Sequence, residues 1–132
     1  MTRLVVTGGR DFFDARKVIS EFTKFMIHHG PISLLIEGES EGLDKTARWC
    51  AENQFRIPVL PFPADWDNVT VPGAKIRYRS GKPYNALAGH WRNGNMILLG
   101  KPDFGMVFPG GRGTADMKQR LELAGIPIWE VE

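Results

Sequence analysis

The sequence predicts an α/β fold, a Rossmann-like parallel sheet of about five strands with helices on both faces. Short apolar runs alternate along the 132 residues with longer segments whose apolar residues recur at helical spacing. Strands that alternate with helices form β-α-β units, which favour a parallel sheet covered on both faces. The length fits one domain, and we expect a single unit over residues 1–132.

The first half of the chain predicts three strands and two helices. Arg3–Thr7 is an apolar run that stops at two glycines, as expected of a buried strand followed by a turn. Asp14 is a typical N-cap for a helix that ends at two histidines, and these favour the helix dipole rather than a metal site. Ser33–Glu37 and Ile57–Leu60 are the next strands. The helix between them is marked by a stripe of Leu43, Ala47, Cys50 and Ala51.

The second half begins with an irregular stretch and then returns to the β-α-β pattern. Pro61–Tyr84 is rich in proline and glycine, and a loop of that length in a compact domain is usually functional or mobile. Ala86–Leu99 has helical spacing, and Phe104–Phe108 is an apolar run. A helix over Ala115–Ala124 and a strand over Pro127–Val131 complete the expected elements.

Composition excludes several classes of protein. Hydrophobic residues make up 42% and charged residues 24% of the chain, which is typical of globular proteins and not of disordered ones. No apolar run approaches the roughly 18 residues of a membrane span, and the N-terminal run is too short for a secretory signal. The single cysteine, Cys50, excludes a disulfide scaffold and favours a reducing compartment, so we expect a cytoplasmic protein. Three histidines and one cysteine are too few for a typical zinc site, and we expect neither a metal nor a cofactor.

The distribution of charge points to an anionic ligand. The net charge is only +2, but residues 68–102 contain no Asp or Glu. The cations of this stretch are Lys75, Arg77, Arg79, Lys82, Arg92 and Lys101. Such a region tolerates an anion. For residues 75–82 a solvated basic loop is an equal alternative, whereas Arg92 lies inside an apolar-periodic segment.

Three glycine-containing turns follow predicted strands. They are Gly8-Gly9-Arg10-Asp11, Gly38 to Gly42, and Pro109 to Thr114. In a parallel sheet these turns share one edge, where ligands bind. Turn formation alone explains each turn as an alternative, but their convergence indicates a binding site. The candidate binding residues are Gly8, Gly9, Arg10, Asp11, Gly38, Asp44, Arg92, Asn93, Pro109, Gly110, Gly111, Arg112, Gly113 and Thr114.

The turn Pro109-Gly110-Gly111-Arg112-Gly113-Thr114 points most directly to phosphate. Its glycines allow a ligand to approach the backbone, and the N–H groups at the start of the following helix attract anions. It is neither a Walker loop nor a Gly-x-Gly-x-x-Gly dinucleotide fingerprint. Arg10 is suited to hold a phosphate and Asp11 to accept from ribose hydroxyls, although the two residues also suit an internal ion pair. Asp44 is suited to bind ligand or simply to favour the dipole of its helix.

These motifs resemble the SLOG superfamily, which includes the LOG phosphoribohydrolases and the Smf/DprA DNA-processing proteins. Pro109–Thr114 resembles its PGGxGT signature, and His90, Arg92 and Met96 match the upstream helix motif of LOG enzymes. Three further segments resemble the small YspA/YpsA-related branch: Thr7–Phe12, Glu37–Ala47 and Ala64-Asp65-Trp66. Relative to the short form of the family, residues 71–83 look like an insertion. The resemblance implies a Rossmann-like sheet that binds a nucleotide or nucleotide derivative. It also implies a homodimer through the Ala86–Leu99 helix and its neighbour; that helix is apolar on more than one face, which makes Trp91 and Leu98 candidate interface residues. The catalytic Glu of LOG enzymes falls on Met117, and their helix Lys on Asn93.

Three functions remain open from the sequence. The first is a module that binds a nucleotide-derived ligand, to sense or sequester it. The second is a hydrolase of a nucleotide N-glycosidic or phosphate bond that uses another carboxylate, and the candidates are Asp116, Glu37, Asp44 and Asp11. The third is single-stranded DNA binding through the basic stretch that contains Tyr84. The tryptophans Trp49, Trp66 and Trp91 are candidates to stack on a base, with burial in the core as the alternative.

Overall fold

The computed structural model describes residues 1–132 and contains seven strands and four α-helices. The strands are β1 (Thr2–Thr7), β2 (Ile32–Glu37), β3 (Val59–Pro61), β4 (Ile76–Arg79), β5 (Lys82–Asn85), β6 (Phe104–Val107) and β7 (Ile128–Glu130). The helices are α1 (Ala15–His29), α2 (Leu43–Cys50), α3 (Ala88–Leu98) and α4 (Arg112–Leu123). A π-helical turn, Ala51–Phe55, continues α2.

Five strands form one parallel sheet in the order β3-β2-β1-β6-β7. The chain builds outward from β1 to β3 and then returns to place β6 on the other side of β1. The strand order therefore reverses between β1 and β6, which is the position where open α/β sheets bind ligands. The predicted α/β class, strand number and parallel sheet are confirmed.

Side chains alternate between the two faces of the sheet and build two cores. On one face Leu4, Val6 and Met106 pack under α1 and α2 with Phe22 and Phe25. On the other face a smaller cluster lies under α3 and α4, and it consists of Val5, Ile36, Val107, Met96, Met117 and Leu121. Because helices cover both faces of the sheet, consecutive residues in the middle of β1 and β2 are apolar, whichever face they point to.

The helix ends follow from local sequence. The Asp14 side chain accepts from the Lys17 N–H at 3.1 Å and caps α1, as predicted. Gly30, at φ +83°, ends the helix immediately after the two histidines. The prediction for α4 was wrong by three residues, since it begins at Arg112 and not at Ala115. The PGGxGT-like turn thus runs directly into the first helical turn.

The sequence predicted that residues 61–84 are irregular throughout, and this prediction is wrong. The stretch contains an antiparallel hairpin of β4 and β5, with Arg77 opposite Tyr84. The two turn residues, Ser80 and Gly81, have φ of +51° and +76°. Positive φ at both positions is the geometry of the tight turn that matches the twist of a two-stranded ribbon. None of the four α-helices has the length and the apolar composition of a membrane-spanning segment.

Candidate functional site

A cleft of about 930 Å³ opens at the carboxyl edge of the sheet, over the point where the strand order reverses. The structure brings most of the predicted binding residues to this cleft. Those that line it are Gly8, Gly9, Arg10, Asp11, Asp44, Arg92, Asn93, Pro109, Gly110, Gly111, Arg112, Gly113 and Thr114. Gly38 is not part of the lining, and it contributes through the contact of its carbonyl with Arg92.

Backbone hydrogen bonds join the glycine turns to one another. The Gly9 N–H donates to the Pro109 carbonyl at 2.9 Å, and the Leu43 N–H donates to the Gly9 carbonyl at 3.0 Å. Gly42, at φ +81°, lies so close to the Gly9 and Arg10 carbonyl groups that a Cβ would overlap them. The ends of β1 and β6 and the start of α2 therefore form one continuous floor for the cleft.

The N-terminus of α4 faces the cleft without a side-chain cap. Its N-cap is Gly111, and the first intrahelical bond runs from the Ala115 N–H to the Gly111 carbonyl at 3.0 Å. The three N–H groups before it, on residues 112–114, have no acceptor one helical turn back, as at the start of every α-helix. A Cβ at Gly111 or Gly113 would meet no atom within 4 Å, and neither residue has positive φ. Packing and backbone conformation therefore do not require glycine at these two positions.

Arg92 is half-buried at the wall of the cleft and is already partly engaged. Its Nη1 donates to the Gly38 carbonyl, and its Nε donates to Asn93 Oδ1 at 3.0 Å. Burial lowers the pKa of Arg92, and the neighbouring Asp44 carboxylate opposes that effect. Arg92 thus fixes the Gly38 turn and also faces the cleft.

Two of the four candidate carboxylates lie in the cleft. Asp11 is exposed, whereas Asp44 is 7% exposed and accepts from the N–H groups of Gly38 and Ser40 at 3.2 and 3.3 Å. Burial raises the pKa of Asp44, and the hydrogen bonds from Ser40 and the Arg92 charge oppose it. Asp44 therefore shapes the Gly38 turn from within the cleft.

Asp116 does not line the cleft, and its oxygens are occupied. They accept from Asn93 Nδ2 at 3.0 Å and Arg120 Nε at 2.9 Å, and His90 Nδ1 lies 3.0 Å away. Burial alone would raise the pKa of Asp116, but these three partners outweigh it and lower the pKa. The adjacent Met117 is fully buried in the core between α4 and the sheet.

Glu37, the fourth candidate, points away from the cleft. It is fully buried at the end of β2 on the α2 side of the sheet. Its Oε1 accepts from the Glu39 N–H at 2.7 Å, while Oε2 has no hydrogen-bond partner and lies 3.8 Å from Arg48 Nη1. Burial raises the pKa of Glu37 to about 7, against the effect of the Glu39 N–H. No group of three His, Cys, Asp or Glu residues is placed to hold a metal ion.

The cleft also contains residues that the sequence did not single out. They are Thr7, Phe12, Ser40, Ala86, Gly89, His90 and Met96. Thr7, Phe12, Ser40, His90 and Met96 occur in the sequence motifs without a predicted role of their own. Nothing in the sequence sets Ala86 or Gly89 apart from other residues of their segment. Of the three tryptophans considered for stacking, Trp66 lines the cleft with the Arg10 Cζ 5.8 Å from the centre of its ring. Trp49 and Trp91 are exposed, 52% and 37%, and line no part of it.

The model of the YspA, cpYpsA-related SLOG family, YAcAr, matches residues 2–68. The chain belongs to this family. Membership of this family indicates that the chain binds or processes a nucleotide-related ligand. The match spans β1 to Asn68, just past Trp66, and ends before the β4–β5 hairpin. No curated protein matched the chain.

Proposed function

We propose that this chain binds a nucleotide or nucleotide-derived ligand in the cleft, with a phosphate of the ligand at the N-terminus of α4. Membership of the SLOG family supports the ligand class. The position of the phosphate is supported by Gly111 and Gly113. Both are glycine although no neighbouring atom would exclude a side chain there, so the space beside them is open to a ligand. A side chain at either position would fill the space in front of the free N–H groups. The whole chain would then act as one nucleotide-binding unit, with residues 71–83 added to it.

The charges around this position favour an anion. Three arginines, Arg10, Arg92 and Arg112, line the cleft, against the two carboxylates Asp11 and Asp44. The uncapped start of α4 adds a partial positive charge and directed N–H donors. Arg10 and Arg112 are exposed. Arg10 makes no hydrogen bond within the protein, so its guanidinium is free for bidentate bonds to phosphate oxygens.

The arrangement favours binding over LOG-type hydrolysis. Hydrolysis of an N-glycosidic bond requires a carboxylate that stabilises the developing cation or positions water. At the corresponding position Met117 is buried in the core. The adjacent Asp116 does not line the cleft, and its oxygens are occupied by three partners. We therefore expect a nucleoside 5′-monophosphate to be recovered intact after incubation with the protein, with no free base by chromatography. Release of free base would favour the hydrolase instead.

Calorimetry with a panel of nucleoside 5′-monophosphates tests the proposal. Gly111→Val places its Cβ where no other atom lies within 4 Å, fills the proposed phosphate position and should abolish binding. Arg10→Ala and Arg92→Ala each remove a charge-assisted interaction of roughly 1.5–3 kcal/mol, which predicts affinities lower by about ten- to a hundredfold. Arg56→Ala, at an exposed position after the π-helical turn, is the control and should bind like the wild type.

The variants separate a binding role from a structural one. Arg92 also holds the Gly38 carbonyl, so its loss affects the turn as well as the ligand. Arg10→Ala and Gly111→Val remove no hydrogen bond of the protein. If both variants bind nucleotides like the wild type while circular dichroism shows them folded, the glycine turn is structural and the proposal fails.

A further inference from the structure

A second cavity, of about 580 Å³, adjoins the cleft on the side of the β4–β5 hairpin. The two cavities share Arg10 and Trp66 as a common wall. The hairpin contributes Arg79, Lys82 and Tyr84 to the new cavity. The SLOG family match ends at residue 68, so this hairpin lies outside the matched segment.

Arginine side chains and aromatic rings contact one another in succession from the cleft to the hairpin. The Arg10 Cζ lies 5.8 Å from the Trp66 ring, and the Trp66 and Tyr84 rings meet edge to face with centroids 6.4 Å apart. The Arg79 Cζ lies 5.3 Å from the Tyr84 ring. Both arginine positions are within the distance at which a cation is attracted to an aromatic face. Aromatic faces beside cations are the combination that holds nucleobases and their phosphates without sequence preference.

The hairpin is fixed against the cleft by hydrogen bonds at its base. The Asn85 N–H donates to the Trp66 carbonyl at 2.7 Å, which ties β5 to the shared wall. The Asn85 side chain is 1% exposed, and its Oδ1 accepts from the N–H groups of Lys75 and Leu87. The relative position of Trp66 and Tyr84 is therefore set by buried contacts, and both rings line the open cavity.

We propose that the hairpin cavity is a second subsite, which takes the base of a second nucleotide, so that the ligand class is a dinucleotide. This inference rests on the proposed function, which places the first phosphate at the start of α4. Arg10 lies between the two cavities and is positioned for the phosphate that links the two halves. Trp66 and Tyr84 supply the aromatic wall for the second base. Arg79 supplies positive charge at its rim, where Lys82 also lies, 3.9 Å from the Asp67 carboxylate.

The test compares a mononucleotide with dinucleotides by calorimetry. The probes are AMP, a dinucleotide linked 5′ to 5′ through pyrophosphate, and a 5′-phosphorylated dinucleotide linked 3′ to 5′. Stacking of one base on an aromatic side chain predicts that one of the dinucleotides binds roughly 5- to 100-fold more tightly than AMP. Tighter binding of the 5′–5′ linked probe than of AMP would indicate a small-molecule dinucleotide. Tighter binding of the 3′–5′ linked probe would indicate the end of a nucleic acid strand.

Two tyrosines of the same hairpin give a matched pair of variants. Tyr84→Ala removes the aromatic wall and should abolish the gain while AMP affinity stays unchanged. Tyr78, which is 70% exposed and outside the cavity, is the control, and Tyr78→Ala should retain the gain. Arg79→Ala should reduce the gain, whereas Lys75→Ala, at another exposed cation outside the cavity, should not.

The outcomes separate this inference from the proposed function. If no nucleotide binds, the proposed function fails and the subsite fails with it. If AMP binds but no dinucleotide binds more tightly, or if Tyr84→Ala keeps the gain, only the subsite is overturned. If affinity continues to rise with tri- and tetranucleotides, the hairpin follows an extended strand and the dinucleotide assignment is wrong.

Discussion

Replacement of Glu37 by glutamine should change how the stability of the protein depends on pH. The carboxyl is fully buried, Oε2 has no hydrogen-bond partner, and burial raises the pKa of Glu37 from its ordinary value of 4.5 to about 7. The folded state therefore holds a proton at Glu37 that the unfolded chain releases near pH 4.5. The stability associated with this group is fully present below pH 4.5 and is lost as the pH rises through 7.

The size of this loss follows from the two pKa values. The difference between 4.5 and about 7 corresponds to roughly 3 kcal/mol of unfolding free energy, an order-of-magnitude value. The glutamine side chain of the variant is uncharged at every pH, and its carbonyl can accept from the Glu39 N–H as Glu37 Oε1 does. The stability of Glu37→Gln relative to the wild type should therefore increase by roughly 3 kcal/mol between pH 4.5 and 8.

Urea unfolding at half-unit intervals of pH measures this difference directly. Comparison of the two proteins at each pH cancels the contributions of the other titrating groups. Glu122→Gln, at an exposed position on α4, is the control for the loss of one negative charge. A wild-type-minus-variant difference that stays constant between pH 4.5 and 8 would refute the assignment of a raised pKa to Glu37.

Two further predictions concern the core and the assembly of the protein. Met117→Glu introduces the carboxylate of the LOG motif but places it among the buried side chains of Val5, Met96 and Leu121. Urea unfolding should show that the free energy of unfolding falls by about 3 kcal/mol or more. The variant should release no free base from AMP. The outer side of α3 exposes Trp91 and Leu98, 37% and 69%, and we predict a homodimer through this helix. Light scattering should show the dimer at tens of micromolar and a monomer for Leu98→Glu, whereas a wild-type monomer would contradict the prediction.

The strands and the glycine turns could be predicted because their determinants are local. Arg3–Thr7 and Phe104–Phe108 are apolar runs that stop at glycine or proline, and a sheet covered on both faces needs such runs. The hairpin was missed because its strands carry charged and exposed residues and have no apolar face. Its turn dipeptide, Ser80-Gly81, is a local indication that the sequence does contain. Its base depends on Asn85, whose partners only the folded chain brings together.

Side-chain direction explains why two of the candidate carboxylates, Glu37 and Asp116, do not line the cleft. Glu37 adjoins Gly38 in the chain, but alternation along β2 turns its side chain to the α2 face, opposite to that of Ile36. Asp116 lies one helical position from Met117, and that step of about 100° takes it out of the core towards Asn93 and His90. Both outcomes depend on which face of its strand or helix each residue occupies. The boundaries predicted from local patterns are too imprecise to determine that face.

Two parts of the chain divide the cleft between them. The segment that matches the family supplies Gly9, Asp44 and Trp66, whereas Arg92 and the start of α4 come from beyond residue 68. They meet because β6 pairs with β1, and this pairing brings the glycine turn after β6 beside Gly9. A phosphate position built at that junction depends on the sheet itself, so it should tolerate changes in the hairpin.

Discrimination between ligands would then depend on the hairpin, because Tyr84 and Arg79 line the outer cavity and not the cleft. The glycine turns hold the position proposed for the phosphate, which every nucleotide of the panel carries. The second base of a dinucleotide, seated against Trp66 and Tyr84, would be the part of the ligand that AMP lacks. Variants of β4 and β5 should therefore alter the preference for a dinucleotide over AMP, while variants of the glycine turns should alter whether any nucleotide binds.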